Sequence, residues 1–174
     1  MASTSLEFGA PTRKLFRLWD YGFAHITYCS VKGLSSGDFD AAMFFSALLA
    51  DSLYHDCYAC GSPETHVTPE IHGPFDLAFM TPSNFVEVSF GDLLFGLETR
   101  IDDPSFSERP TAAQIEAVHA LLRGLPGNVR VFRLAIAVTD ERYLHDCPLH
   151  SFFDEYVVLD TSTSQMWLIV AGND

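Results

Sequence analysis

Apolar and polar residues alternate along this chain with two periods, and the switches between them mark the elements. The β-rich aromatic run from Lys14 to Tyr21 is interrupted by Gly22 and resumed from Ile26 to Val31, which predicts two strands joined as a hairpin. From Phe39 to Tyr54 the residues Met43, Phe44, Ala47, Leu48 and Leu49 fall near a helical stripe, with Asp38 or Asp40 placed to cap its start. The opening of that segment also has the makeup of a buried strand, so helix is the preferred of two readings. Cys57 to Pro74 carries Gly61, Pro63, Pro69, Gly73 and Pro74 and is expected to be a long loop.

Phe75 to Met80 and Phe85 to Leu97 read as strands, the second opening on the mixed apolar and polar run from Phe85 to Phe90. Asp102 to Pro110 is a polar turn region. Thr111 and Gln114 then stand at capping-box spacing ahead of an apolar face of Ile115, Val118, Leu121 and Leu122, and Gly124 follows as a stop. Val129 to Val138 is a strand, and Tyr156 to Asp160 pairs with Met166 to Val170 across residues 161–164 as a second hairpin. The sum is an α+β fold: a mainly antiparallel sheet of about six to eight strands with one or two packed helices.

Composition bounds this picture. A length of 174 residues suits one domain, with 1–12 as a flexible tail, and 48% hydrophobic residues including 15 Phe supply a core without staples. The N-terminus lacks a basic segment followed by an apolar run. The longest apolar stretch, Ala41 to Ala50, contains Ser46 and stops at Asp51, far short of the roughly 18 residues a membrane span needs. These features predict a cytoplasmic protein whose four cysteines are reduced or bind metal.

Charge adds more. A net charge of −13 argues against nucleic acid and membrane surfaces as partners, since both repel it. Gly33 to Thr99 holds no Lys or Arg, while Asp38, Asp40, Asp51, Asp56, Glu64, Glu70, Asp76, Glu87, Asp92 and Glu98 all lie within it. That asymmetry points to a negative face steering a basic protein partner, with Asp38, Asp40, Asp51, Asp56, Glu64 and Glu70 as its contact residues. Trp19 and Tyr21 are the aromatic candidates beside them, either as recognition surface or as core.

Two similar segments carry the candidate chemistry. His55-Asp56-Cys57 precedes Cys60 by three residues, and His145-Asp146-Cys147 precedes His150 by three. A tight turn aims two ligands at one ion, so Cys57, Cys60, Cys147 and His150 would complete a tetrahedral Zn²⁺ site, with His66, His72, His55 or His145 as alternative fourth ligands. Cys29 with His25, or Cys147 with a neighbouring His, has the residue types of a nucleophile and base, but no established catalytic motif surrounds either. The sequence therefore favours a non-enzymatic acidic binding module, such as an inhibitor or immunity-type protein. A zinc-containing domain or hydrolase and a subunit of a homo-oligomer are the alternatives.

Overall fold

In the computed structural model the described residues are 5–19, 22–34, 37, 39–58, 69–101, 109–145 and 152–173, with only the backbone at Trp19. Numbered in chain order, the strands are β1 (Glu7–Phe8), β2 (Thr12–Trp19), β3 (Gly22–Lys32), β4 (Ile71–His72), β5 (Phe75–Asp76), β6 (Phe85–Val88), β7 (Arg130–Leu134), β8 (Phe153–Asp160) and β9 (Gln165–Asn173). The helices are α1 (Ala41–Ala50), α2 (Phe90–Ile101) and α3 (Ala112–Arg123). Seven strands form the main sheet in the order β1-β3-β9-β8-β7-β6, with β2 also on β3, and every pair is antiparallel. The fold is α+β, as the sequence pattern predicts.

Strand alternation sorts the core into two faces. Phe23, Cys29, Val31, Val157, Leu159, Met166, Leu168 and Val170 meet Phe44, Phe45 and Leu48 of α1. Ala24, Ile26, Tyr156, Val158, Ile169 and Ala171 meet Leu93 and Leu97 of α2 and Val118 and Leu122 of α3. Strand β8 is buried at all eight positions, because both of its faces are covered. Each fully buried Phe or Leu contributes about 1.5–3 kcal/mol.

Local signals explain most boundaries. Asp40 starts α1, its side chain accepting from the backbone N–H of Ala42 and Met43 at 2.9 and 3.1 Å. Thr111 and Gln114 form the expected capping box of α3, and Gly124 is its C-cap. The expected β8–β9 hairpin forms, with Tyr156 opposite Ile169, and closes with Asp160 opposite Gln165. Asp160 accepts from the Ser162 and Thr163 hydroxyls at 2.5 and 2.6 Å, bonds that hold its carboxyl below the ordinary range.

Two expectations are corrected. Phe85 to Leu97 is not one strand: β6 ends at Val88 and α2 begins at Phe90. Ser89 and Asp92 cap each other there, the Asp92 carboxylate accepting from Ser89 N–H at 2.8 Å and the Ser89 hydroxyl from Asp92 N–H at 3.1 Å. Leu93, Leu97 and Ile101 then follow helical spacing. Of Phe75 to Met80 only Phe75–Asp76 is strand, since the Asp76 side chain accepts from Ala78 N–H at 2.8 Å and turns the chain into a 3-10 helix at Leu77–Phe79. Within the segment 1–12, expected to be a flexible tail, β1 pairs with Val31 and Lys32, and Phe8 packs edge-on to Phe44, ring centroids 5.8 Å apart.

Helix α2 approaches the sheet closely at Gly96, where a Cβ would lie 2.0 Å from the Tyr156 hydroxyl oxygen. Gly96→Ala gains about 1 kcal/mol of helix propensity but forces a buried side chain to move, which costs about 1–3 kcal/mol. The expected outcome in urea denaturation is a net loss of stability. In a Tyr156→Phe background the same replacement should be neutral or stabilising. An equal loss in both backgrounds would show that the hydroxyl contact is not the cause.

Candidate functional site

The α1 face of the sheet holds a cluster of buried polar side chains. Asp51 closes α1 and caps the following 3-10 turn, Ser52–Tyr54, by accepting from Leu53 N–H at 2.8 Å. That turn delivers Tyr54 to β8, where its hydroxyl donates to Glu155 Oε1 at 2.8 Å. His72 of β4 sets Nε2 against Glu155 Oε2 and Nδ1 2.5 Å from the Tyr54 carbonyl oxygen, and its ring stacks on Tyr54 at 3.5 Å and 3°.

Protonation follows from these partners. A carbonyl oxygen only accepts, so His72 Nδ1 carries a hydrogen. Glu155 accepts the Tyr54 hydroxyl on one oxygen and shares a proton with His72 Nε2 on the other. The His72–Glu155 pair therefore carries no net charge, which makes its burial at 0% exposure tolerable. Burial, and then the nearby Glu155 charge, pushes the Tyr54 phenol well above its ordinary value. Tyr58 is raised in the same direction by burial and then by Asp56.

Beside this pair, Arg13 of β2 donates to Asp56 Oδ2 at 2.6 Å, while Asp56 Oδ1 accepts from Tyr58 N–H at 2.9 Å. The Asp56 carbonyl accepts from Gly73 N–H at 2.8 Å. Gly73 has φ +53°, and a Cβ there would meet the Phe153 ring at 2.4 Å, so both conformation and space require glycine. The cluster has acid–base groups, yet its His and Glu have no exposed surface. Its evident physical effect is to clamp 52–58 and 71–73 onto β8. Cys29 supplies no nucleophile: burial and the Asp51 charge push its thiol to about 11. His25 is four residues away on the same strand, about 13 Å along it, too far to act as its base.

Of the predicted metal ligands, Cys57 is half-buried at the edge of this cluster, whereas Cys60, Cys147 and His150 lie outside the described residues, as does the alternative His66. His72 is not available as a fourth ligand, because both ring nitrogens are engaged, and His55 Nε2 is 3.0 Å from the Leu49 carbonyl oxygen. Among the described residues no group of three or more His, Cys, Asp or Glu could hold a metal ion. The backbone nevertheless brings Asp56 of the first His-Asp-Cys segment and His145, the first residue of the second, to one turn. Asp56 is bonded to Gly73, and His145 N–H donates to the Pro74 carbonyl at 2.9 Å.

The predicted contact residues scatter. Asp40 and Glu70 are exposed, Asp51 is half-buried, and Asp38, Glu64 and Tyr21 lie outside the described residues, as does the Trp19 side chain. Asp56 is 1% exposed and paired with Arg13, so it offers no carboxylate to a partner. Basic side chains from outside the 33–99 window reach into it, Arg130 binding Glu87 with two bonds of 2.8 and 2.7 Å. Reading 85–97 as strand concealed another surface, the outer face of α2. There Phe95 is 72% exposed between Asp92 and Glu98, both exposed. Arg100, the basic residue of α2, turns inward to Asp154 at 2.5 Å.

No protein-family model, curated protein or solved structure matches this chain.

Glu155→Ala would leave the Tyr54 hydroxyl and His72 Nε2 buried without their acceptor, and a loss of about 3–5 kcal/mol is expected in urea denaturation. A loss under about 1 kcal/mol would show that the cluster does not hold this layer.

Proposed function

We propose that this chain is an acidic binding module that masks a basic protein, in the manner of an inhibitor or immunity protein. The observation that carries the reading is where the positive charge goes. Seven of the ten basic side chains are occupied by the chain's own carboxylates: Arg13 by Asp56, Lys32 by Glu7, Arg100 and Arg133 by Asp154, Arg123 by Glu116, Arg130 by Glu87 and Arg142 by Asp140. Asp40, Glu70, Asp92 and Glu98 are exposed and in no ion pair among the described residues. A net charge of −13 with its cations so engaged projects a negative field that speeds encounter with a basic surface. Among the described residues the exposed Tyr28, Met43, Phe79, Val86 and Phe95 offer apolar surface to hold a partner once it arrives.

The immobilised chain should capture basic proteins at 50 mM salt, and raising salt to about 500 mM, where the Debye length falls below about 5 Å, should release most of them. Capture that is indifferent to salt, or that selects acidic proteins, would overturn this reading.

A second reading, zinc bound by Cys57, Cys60, Cys147 and His150, is favoured by the turn at 73–74, to which both Asp56 and His145 are hydrogen-bonded. Protein purified without a metal-affinity tag is then expected to carry about one zinc per chain by plasma mass spectrometry, and the Cys147→Ala, His150→Ala double variant to lose it. Metal-free wild-type protein removes this reading and leaves the first untouched.

A further inference from the structure

We infer that the groove between α2 and α3 receives a segment of the partner that pairs an apolar side chain with a Lys or Arg. The inference rests on the reading of the chain as a module for basic proteins and assigns that reading a surface. Leu93 and Leu97 of α2 and Val118 and Leu122 of α3 point into the core beneath the two helices. Above them a groove of about 210 Å³ remains, lined by Phe90, Leu94 and Glu98 from α2 and by His119, Leu122 and Arg123 from α3.

Its size selects the occupant. Pockets that enclose small-molecule ligands run to roughly 300–1,000 Å³, so this groove suits a single inserted side chain. The floor of Phe90, Leu94 and Leu122 makes that side chain apolar.

Two polar features select its neighbours. His119 Nε2 is buried on this groove without a hydrogen-bond partner. Such an atom is costly to leave unsatisfied, so a small turn of the His119 ring that brings it to a polar group of an incoming segment would be favoured. The second feature is the charge of the groove. Arg123 also lines it but is paired with Glu116, and Arg100 is paired with Asp154, so the exposed Glu98 carboxylate is in no ion pair among the described residues and tips the local balance negative. Phe95, three residues before Glu98 and therefore next to it on the helix surface, supplies an exposed ring over which the stem of a Lys or Arg can lie.

The test uses the full chain and a synthetic peptide of alternating Lys and Leu, with a control in which every Lys is Glu. Amide chemical-shift changes on adding the Lys peptide are expected to concentrate at Phe90–Thr99 and Ile115–Arg123, and the Glu peptide to produce none. Phe95→Ala and Glu98→Lys alter exposed residues and should each weaken binding about tenfold. His119→Leu removes the unsatisfied nitrogen, so it should leave thermal stability unchanged or raised while weakening binding, a split that a merely structural histidine would not give. Affinities of Phe95→Ala and Glu98→Lys within twofold of wild type would overturn the inference. Salt-sensitive binding that maps to another face would also overturn it while sparing the binding-module reading. No salt-sensitive binding at any face would count against both.

Discussion

Two adjacent carboxylates on the central strand, Asp154 and Glu155, have to be satisfied before the layers of this fold can close. Strand geometry sends them to opposite faces of a sheet covered on both sides. Glu155 is met by Tyr54 and His72, which anchors the turns around 54 and 72 beneath α1. Asp154 is met by Arg100 of α2 and Arg133 of β7, at 2.5 and 3.2 Å. One acid per face thus ties each outer layer to β8. Hydrophobic burial supplies most of the stability but little direction, whereas these bonds fix which turn and which helix end lie where.

That arrangement has an electrostatic consequence at the surface. Arg100 turns inward to neutralise Asp154, and its guanidinium lies 4.6 Å over the Phe152 ring. The outer face of α2 is left with Asp92, Phe95 and Glu98. Arg13 serves Asp56 in the same way on the opposite side of the sheet. Positive charge is spent on the chain's own carboxylates, some of them buried, and the negative excess is left facing outward. Structural bonds and the proposed binding function therefore have a common origin: charges chosen to build the fold decide what the surface can attract.

Much of the framework was legible in the sequence because it depends on short-range chemistry. The capping box at Thr111 and Gln114, the Asp40 cap of α1 and the hairpin joining β8 to β9 each need residues only a few positions apart. Helix α2 was misread although its signals are equally local. The alternation of Val86, Glu87 and Val88 runs straight into Phe90, and Gly91 and Gly96 weaken the helical pattern that Leu93 and Leu97 carry. The Ser89–Asp92 box was the signal that could have marked the change of period.

By itself, then, the sequence determined the α+β class, the acidic balance and those elements whose hydrogen bonds close within one turn. The tertiary structure decided which titratable residues meet. Tyr54 and His72 stand 101 and 83 positions from Glu155, and no spacing rule relates them. It also decided that Asp56 is buried while Asp40 stays exposed, although both are acids of the same basic-free window. The physical reason is that a carboxylate's role depends on how much water it loses and which partner replaces that water. Both are set by segments that approach only when the sheet is assembled.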